Sequence, residues 1–213
     1  MIGVLPTTAR GRAIRGSVVF AVAMVAGLVS PATPQPGASF SFPEDPEYLV
    51  LEYHQSHEML DDPDPVPLLR IYGDGRVLIH RSAYRIDAGD YELRLGPGEL
   101  RQLLSTLVSR NVPRANVADL ARARRREEER RAAEEGTLFA ISDATVTRIV
   151  LRLETITPAP GARAIANVEQ RIVWPNLQSD AERFPQLPEL GELAAAEREL
   201  LALLERPERR RLP

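Results

Sequence analysis

Leu68-Leu-Arg-Ile-Tyr-Gly-Asp-Gly-Arg-Val-Leu-Ile-His80 decides the fold. Two runs of β-formers flank Gly73-Asp74-Gly75, which is the pattern of a β-hairpin. Two turn registers compete. A two-residue Asp74-Gly75 turn pairs Tyr72 with Val77 and Arg70 with Ile79, which mixes charge into an apolar face. A three-residue Gly73-Asp74-Gly75 loop pairs Ile71 with Val77 and Leu69 with Ile79. One face is then wholly apolar, and Arg70, Tyr72, Arg76 and His80 share the other. Because a slip of one residue exchanges the faces, the apolar pattern selects the second register, with Gly75 left-handed after a type I turn.

Outward from the hairpin the chain alternates between sheet and helix signals. Tyr48 to Tyr53 reads as a strand with Leu49, Leu51 and Tyr53 on one side, and His54 to Pro65 as a polar loop. Asp90 to Leu95 alternates again. It runs into Gly96-Pro97-Gly98-Glu99, where proline suits a first helical turn and Glu99 its positive end. Leu100, Leu103, Leu104, Leu107 and Val108 recur at helical spacing, and Asn111 with Pro113 ends that helix. Asn116 opens a second helix, Val117 to about Glu135, in which Arg122 to Glu135 carries six arginines and five glutamates. Offsets of three or four place Glu127 near Arg131, Arg125 near Glu129 and Arg131 near Glu135, so it reads as a solvated, ion-paired helix. Thr147 to Glu154 and Ala164 to Trp174 read as strands joined across Pro158-Ala-Pro-Gly161, and Trp174 to Phe184 as a crossing loop. A last helix, Pro188 to Glu205, shows Leu190, Leu193, Ala194, Leu200, Leu201 and Leu204 on one stripe. The expected class is α+β: an antiparallel sheet of five or six strands, two amphipathic helices on one face and one charged edge helix. Residues 47–206 form this single domain, and 207–213 are expected to fray.

The first thirty-two residues have a different character. Arg10, Arg12 and Arg15 precede an apolar run, Ser17 to Val29, and Ser30-Pro-Ala32 offers small residues at an exit site. These are the parts of a secretory signal peptide, residues 1–32, and the run falls short of the about 20 residues needed to cross a bilayer. Residues 33–46, rich in proline, read as a linker. The expected location is periplasmic or secreted, with no stable membrane anchor after signal cleavage.

Beyond Ala32, all 30 carboxylates face 24 arginines, a formal charge of −6, which argues against nucleic acid or an anionic membrane as partner. The sequence has neither lysine nor cysteine, which removes Schiff bases, P-loop lysines, thiolate nucleophiles, thiolate metal sites and disulfides. No Gly-x-Ser-x-Gly elbow occurs, and Gly73-x-Gly75 lacks the third glycine and following helix of a dinucleotide site. His54 and His57, with Glu58, Asp61, Asp62 and Asp64 behind them, could assemble a metal site for metal-dependent chemistry. On a strand, however, the two rings would point to opposite faces. No cofactor is implied. The balance favours an exported non-catalytic protein-binding module of unknown partner. Its binding surface would be Arg70, Tyr72, Arg76 and His80, where aromatic and arginine side chains share a strand pair.

Leu69-Arg-Ile-Tyr-Gly-Asp-Gly-Arg-Val77, followed by the Leu95 to Val108 segment, resembles uncharacterised exported bacterial proteins with an "IYGDGRV" hairpin. Ile141-Ser-Asp-Ala-Thr145 and Trp174-Pro-Asn-Leu-Gln-Ser-Asp180 fit the same group, so the resemblance spans residues 47–206. In its order of strands, helix, strands and helix the chain is also similar to emfourin-type metallopeptidase inhibitors, though it lacks their glycine-rich N-terminal segment. That second resemblance is architectural and implies an inhibitory role.

Overall fold

The Gly73-Asp74-Gly75 loop takes the three-residue form. Leu69 pairs with Ile79 and Ile71 with Val77, and Gly75 is left-handed at φ 86°. A side chain at Gly75 would be strained twice over, because a Cβ there would also lie 2.3 Å from the Leu95 carbonyl oxygen. Gly73 is pinned in the same way, its missing Cβ occupied by the Pro43 carbonyl oxygen.

The computed structural model describes residues 38–57, 65–136 and 144–213. The expected signal peptide, the start of the linker, the acidic residues behind His57 and Ile141 to Asp143 lie outside the described residues. In chain order the first elements are β1 (Ser39–Ser41), β2 (Leu49–His57), β3 (Leu69–Tyr72), β4 (Arg76–Arg81), β5 (Gly89–Arg94) and α1 (Pro97–Ser109). After a 3-10 turn at Val112–Arg114 come α2 (Val117–Glu135), β6 (Thr145–Thr157), β7 (Ile165–Pro175), α3 (Leu177–Arg183), α4 (Pro188–Leu204) and β8 (Arg210–Arg211).

Eight strands make one antiparallel sheet. β7 lies outside β6, whose other edge is shared by β2 and β1, and β3, β4, β5 and β8 follow in that order. Alternation assigns one side of every strand to the core. Tyr53, Leu69, Ile79, Ile149 and Ile172 line up across the sheet, and they share one buried cluster with Leu100, Leu104 and Leu107 of α1 and Leu190, Leu193 and Leu200 of α4.

The count of eight corrects the expected five or six strands, and the two additions lie where a linker and a frayed end were expected. β1 is three residues long, too short to show a period, and side chains fix it. Phe40 and Phe42 stack at 6.3 Å, and the Ser41 hydroxyl lies 2.7 Å from that of Thr155. β8 is held by arginine: Arg211 donates to the Ala88 carbonyl at 2.9 Å, and the Leu212 N–H to that of Asp90 at 2.8 Å. β2 also runs on to His57, through residues whose polarity suggests a loop, because β6 pairs with it along Leu51 to His57. The segment after Trp174 holds a short helix, α3, which Asn176 starts in a left-handed conformation at φ 53°.

The helix boundaries follow local chemistry. Glu99 accepts the Gly96 N–H at 2.9 Å at the start of α1. Asn116 accepts the Asp119 N–H at 3.1 Å, and left-handed Gly136 closes α2. Of the pairs expected on α2, Arg131 to Glu127 is present at 3.7 Å. Arg124 also leaves the solvated pattern to reach Asp180 of α3 at 3.1 Å.

Candidate binding face

The side of the sheet turned away from the core carries Glu52 and His54 of β2, Arg70 and Tyr72 of β3, and Arg76, Leu78 and His80 of β4. Arg148 and Val150 of β6 and Arg171 and Val173 of β7 continue it. Val150 and His54 are buried, and the others are half-buried or exposed. All four residues singled out in the hairpin sit here.

Their geometry differs residue by residue. The Arg76 guanidinium lies 4.3 Å from the Tyr72 ring centroid, and its Nη2 donates to the Pro46 carbonyl at 2.8 Å. That stack is held by contacts within the chain. Asp74 accepts the Arg76 N–H at 3.0 Å and also pairs with Arg94 at 3.1 Å, which locks the hairpin tip. At the other end of β4, His80 Nδ1 lies 2.6 Å from Asp90 Oδ1. Arg70 stands between Glu52 and Leu78 in the ladder, with its Nε buried and without a hydrogen-bond partner. Arg148, exposed, stands between His54 and Val173. Among the described residues, Arg70, Arg76 and Arg148 form no ion pair with a carboxylate, whereas Arg94, Arg152 and Arg171 do.

His54 and His57 do not converge. His54 faces this side, buried, with Nδ1 3.2 Å from the Val66 carbonyl oxygen. His57, three residues on, turns to the opposite side, its Nδ1 3.4 Å from the Thr145 hydroxyl. Among the described residues, no three His, Cys, Asp or Glu side chains are grouped to hold a metal ion.

Three buried polar knots escape a reading based on stripes and alternation. Glu197 of α4 is 1% exposed. It accepts from Tyr53 at 3.0 Å, from Gln55 at 3.2 Å, from Gln178 at 2.6 Å and from Thr147. Burial and the nearby Glu197 carboxylate push the Tyr53 hydroxyl well above the usual phenol range. Asp180, 2% exposed, accepts from the Trp174 indole at 2.9 Å and from Arg124. Arg81, 4% exposed, donates to the Leu204 carbonyl at 2.6 Å and to Glu205 at 2.7 Å, which ties the end of α4 to the sheet. Each knot joins separate elements, and in the first two the carboxylate is itself buried and hydrogen-bonded.

A separate groove of about 780 Å³ runs between the 3-10 turn and the starts of α2 and α4, with Leu120, Leu187 and Leu193 beneath and Arg110, Arg114 and Arg126 around it. No helix among the described residues is long and apolar enough to cross a membrane. Comparison with protein-family models, curated proteins and solved structures finds no match to this chain.

Proposed function

We propose that the chain is an exported, non-catalytic protein-binding module, and that its partner docks on the outward side of the hairpin around Arg70, Tyr72, Arg76 and His80. The supporting observation is the Tyr72–Arg76 stack, held by the Pro46 carbonyl on a side of the sheet that α1 and α4 leave bare. Aromatic and arginine side chains dominate binding energy at interfaces, and a pair already immobilised loses little entropy on docking. The uncommitted charges of Arg70 and Arg148 favour a partner that brings carboxylates to this side. A peptidase inhibitor is one form the module could take, with the bare side as the peptidase contact.

The experiment is affinity capture from the compartment that holds the protein, with wild type beside Tyr72→Ala/Arg76→Ala. Both substituted side chains are off the core, so the variant should keep the wild-type melting temperature. The expected result is a partner recovered with wild type and at least about tenfold depleted with the variant, a loss of the size one interface anchor supplies. Identical recovered proteins would remove this surface, and intact polypeptide found soluble in the cytoplasm would remove the export.

A further inference from the structure

β7 is the long outer edge of the sheet, and the parity of its hydrogen bonds can be read off its last step. The Asn176 N–H donates to the Thr145 carbonyl at 2.8 Å, one step beyond the Val146–Pro175 pair. Bonded and non-bonded pairs alternate in an antiparallel ladder. Trp174, Ile172, Gln170 and Val168 therefore bond to β6, and Val173, Arg171 and Glu169 turn their N–H and C=O groups away from it. Among the described residues nothing takes up those outward groups. Proteins ordinarily blunt such an edge, commonly with charged side chains that repel a second copy. Here the two central charges are opposite and two residues apart, Glu169 at 51% and Arg171 at 62% exposure. That arrangement complements itself.

We infer that the β7 edge is a homodimer interface, the occupant being β7 of a second copy of this chain running antiparallel. A two-fold axis through Gln170 sets Glu169 opposite Arg171 of the second copy, and Arg171 opposite its Glu169. Shifting the axis by one residue either way would set Glu169 against Glu169 or Arg171 against Arg171, and directly opposed like charges are unfavourable. Left-handed Asn167, at φ 54°, and Pro175, which has no N–H, bound the pairable stretch on either side. A two-fold of this kind lies perpendicular to the sheet, so the bare sides of both copies would face the same way. The inference stands whatever that side binds.

Sedimentation equilibrium on the protein as the expressing cell delivers it tests the pairing. At about 100 µM, a hundredfold above a micromolar dissociation constant, the wild type should have twice the chain mass. Arg171→Glu and Glu169→Arg should each weaken the dimer about tenfold or more, by replacing two attractive pairs with two repulsive ones. Glu169→Arg/Arg171→Glu should restore it. A monomeric wild type, single reversals without effect, or a double variant that stays weak would each overturn the inference. Should a variant not fold, amide exchange on the wild type decides. Slowing of Glu169 and Arg171 amides with rising protein concentration supports the dimer, and concentration-independent exchange rejects it.

Discussion

The two sides of the sheet meet charge in opposite ways. On the core side, Glu197 is buried against four neutral donors and Arg81 against the end of α4. On the bare side, Glu169 lies between Arg152 and Arg171, about half exposed, in contacts of 3.2 and 3.6 Å. Exposed pairs contribute little because water screens them, whereas a buried polar group left unpaired is expensive. The comparison teaches that the charged residues of this chain are not interchangeable: a few are buried and hold elements together, and others form exposed pairs that water screens.

The sharpest way to break the comparison is to empty one carboxylate on each side. Glu197→Leu orphans Tyr53, Gln55, Thr147 and Gln178 in a dry core and should lower unfolding free energy by about 3–5 kcal/mol. Glu169→Leu removes a carboxylate with two arginine neighbours and, at a concentration that keeps the chain monomeric, should change it by no more than about 0.5 kcal/mol. Urea unfolding of both variants is the measurement. Similar losses would mean that burial does not separate the two sides.

A second substitution tests which residues face which side. Gly75→Ala forces a left-handed conformation on alanine and drives its Cβ towards the Leu95 carbonyl, so a loss of about 1–3 kcal/mol is expected. Gly191→Ala, in α4 with nothing within 4 Å, should instead stabilise by about 0.5–1 kcal/mol. Unchanged thermal stability of Gly75→Ala would count against the three-residue loop, and with it the assignment of Arg70 and Tyr72 to the bare side.

What the sequence made legible follows from these cases. The hairpin register could be read because a period of two and a pair of glycines both pointed to it. α2 and α4 could be bounded because Asn116, Gly136 and Pro188 carry local signals. β1 and β8 could not be read, since two or three residues show no period and the bonds that fix them come from distant partners. Glu197 did leave a trace: it falls on the apolar stripe of α4, four residues from Leu193 and three from Leu200. Arg81 left a similar one, continuing the inward alternation of Val77 and Ile79. An isolated charge on an apolar stripe marks a buried polar contact, though not its partners, which lie on β2, β6 and α3 for Glu197. Asp180 left no such trace.

The smallest expected effect concerns four carboxylates paired with arginine, Asp87, Glu99, Glu127 and Glu205. Their folded pKa values all lie below the ordinary range. The Arg85 guanidinium beside Asp87 does most of the lowering there, the Gly96 N–H and Arg206 do so for Glu99, Arg130 for Glu127, and Arg81 for Glu205. A carboxylate whose folded pKa is depressed contributes stability that is fully present above its unfolded value of about 4, and loses it as pH falls through the folded value. The urea midpoint should therefore be flat from about pH 5 to 8 and fall below about pH 4. Arg85→Gln removes the main cause at Asp87 while leaving Arg81 and Arg209 beside it, so the acid fall should become shallower with little change at neutral pH. An acid limb of unchanged steepness would show that the Arg85–Asp87 pair does not couple folding to protons.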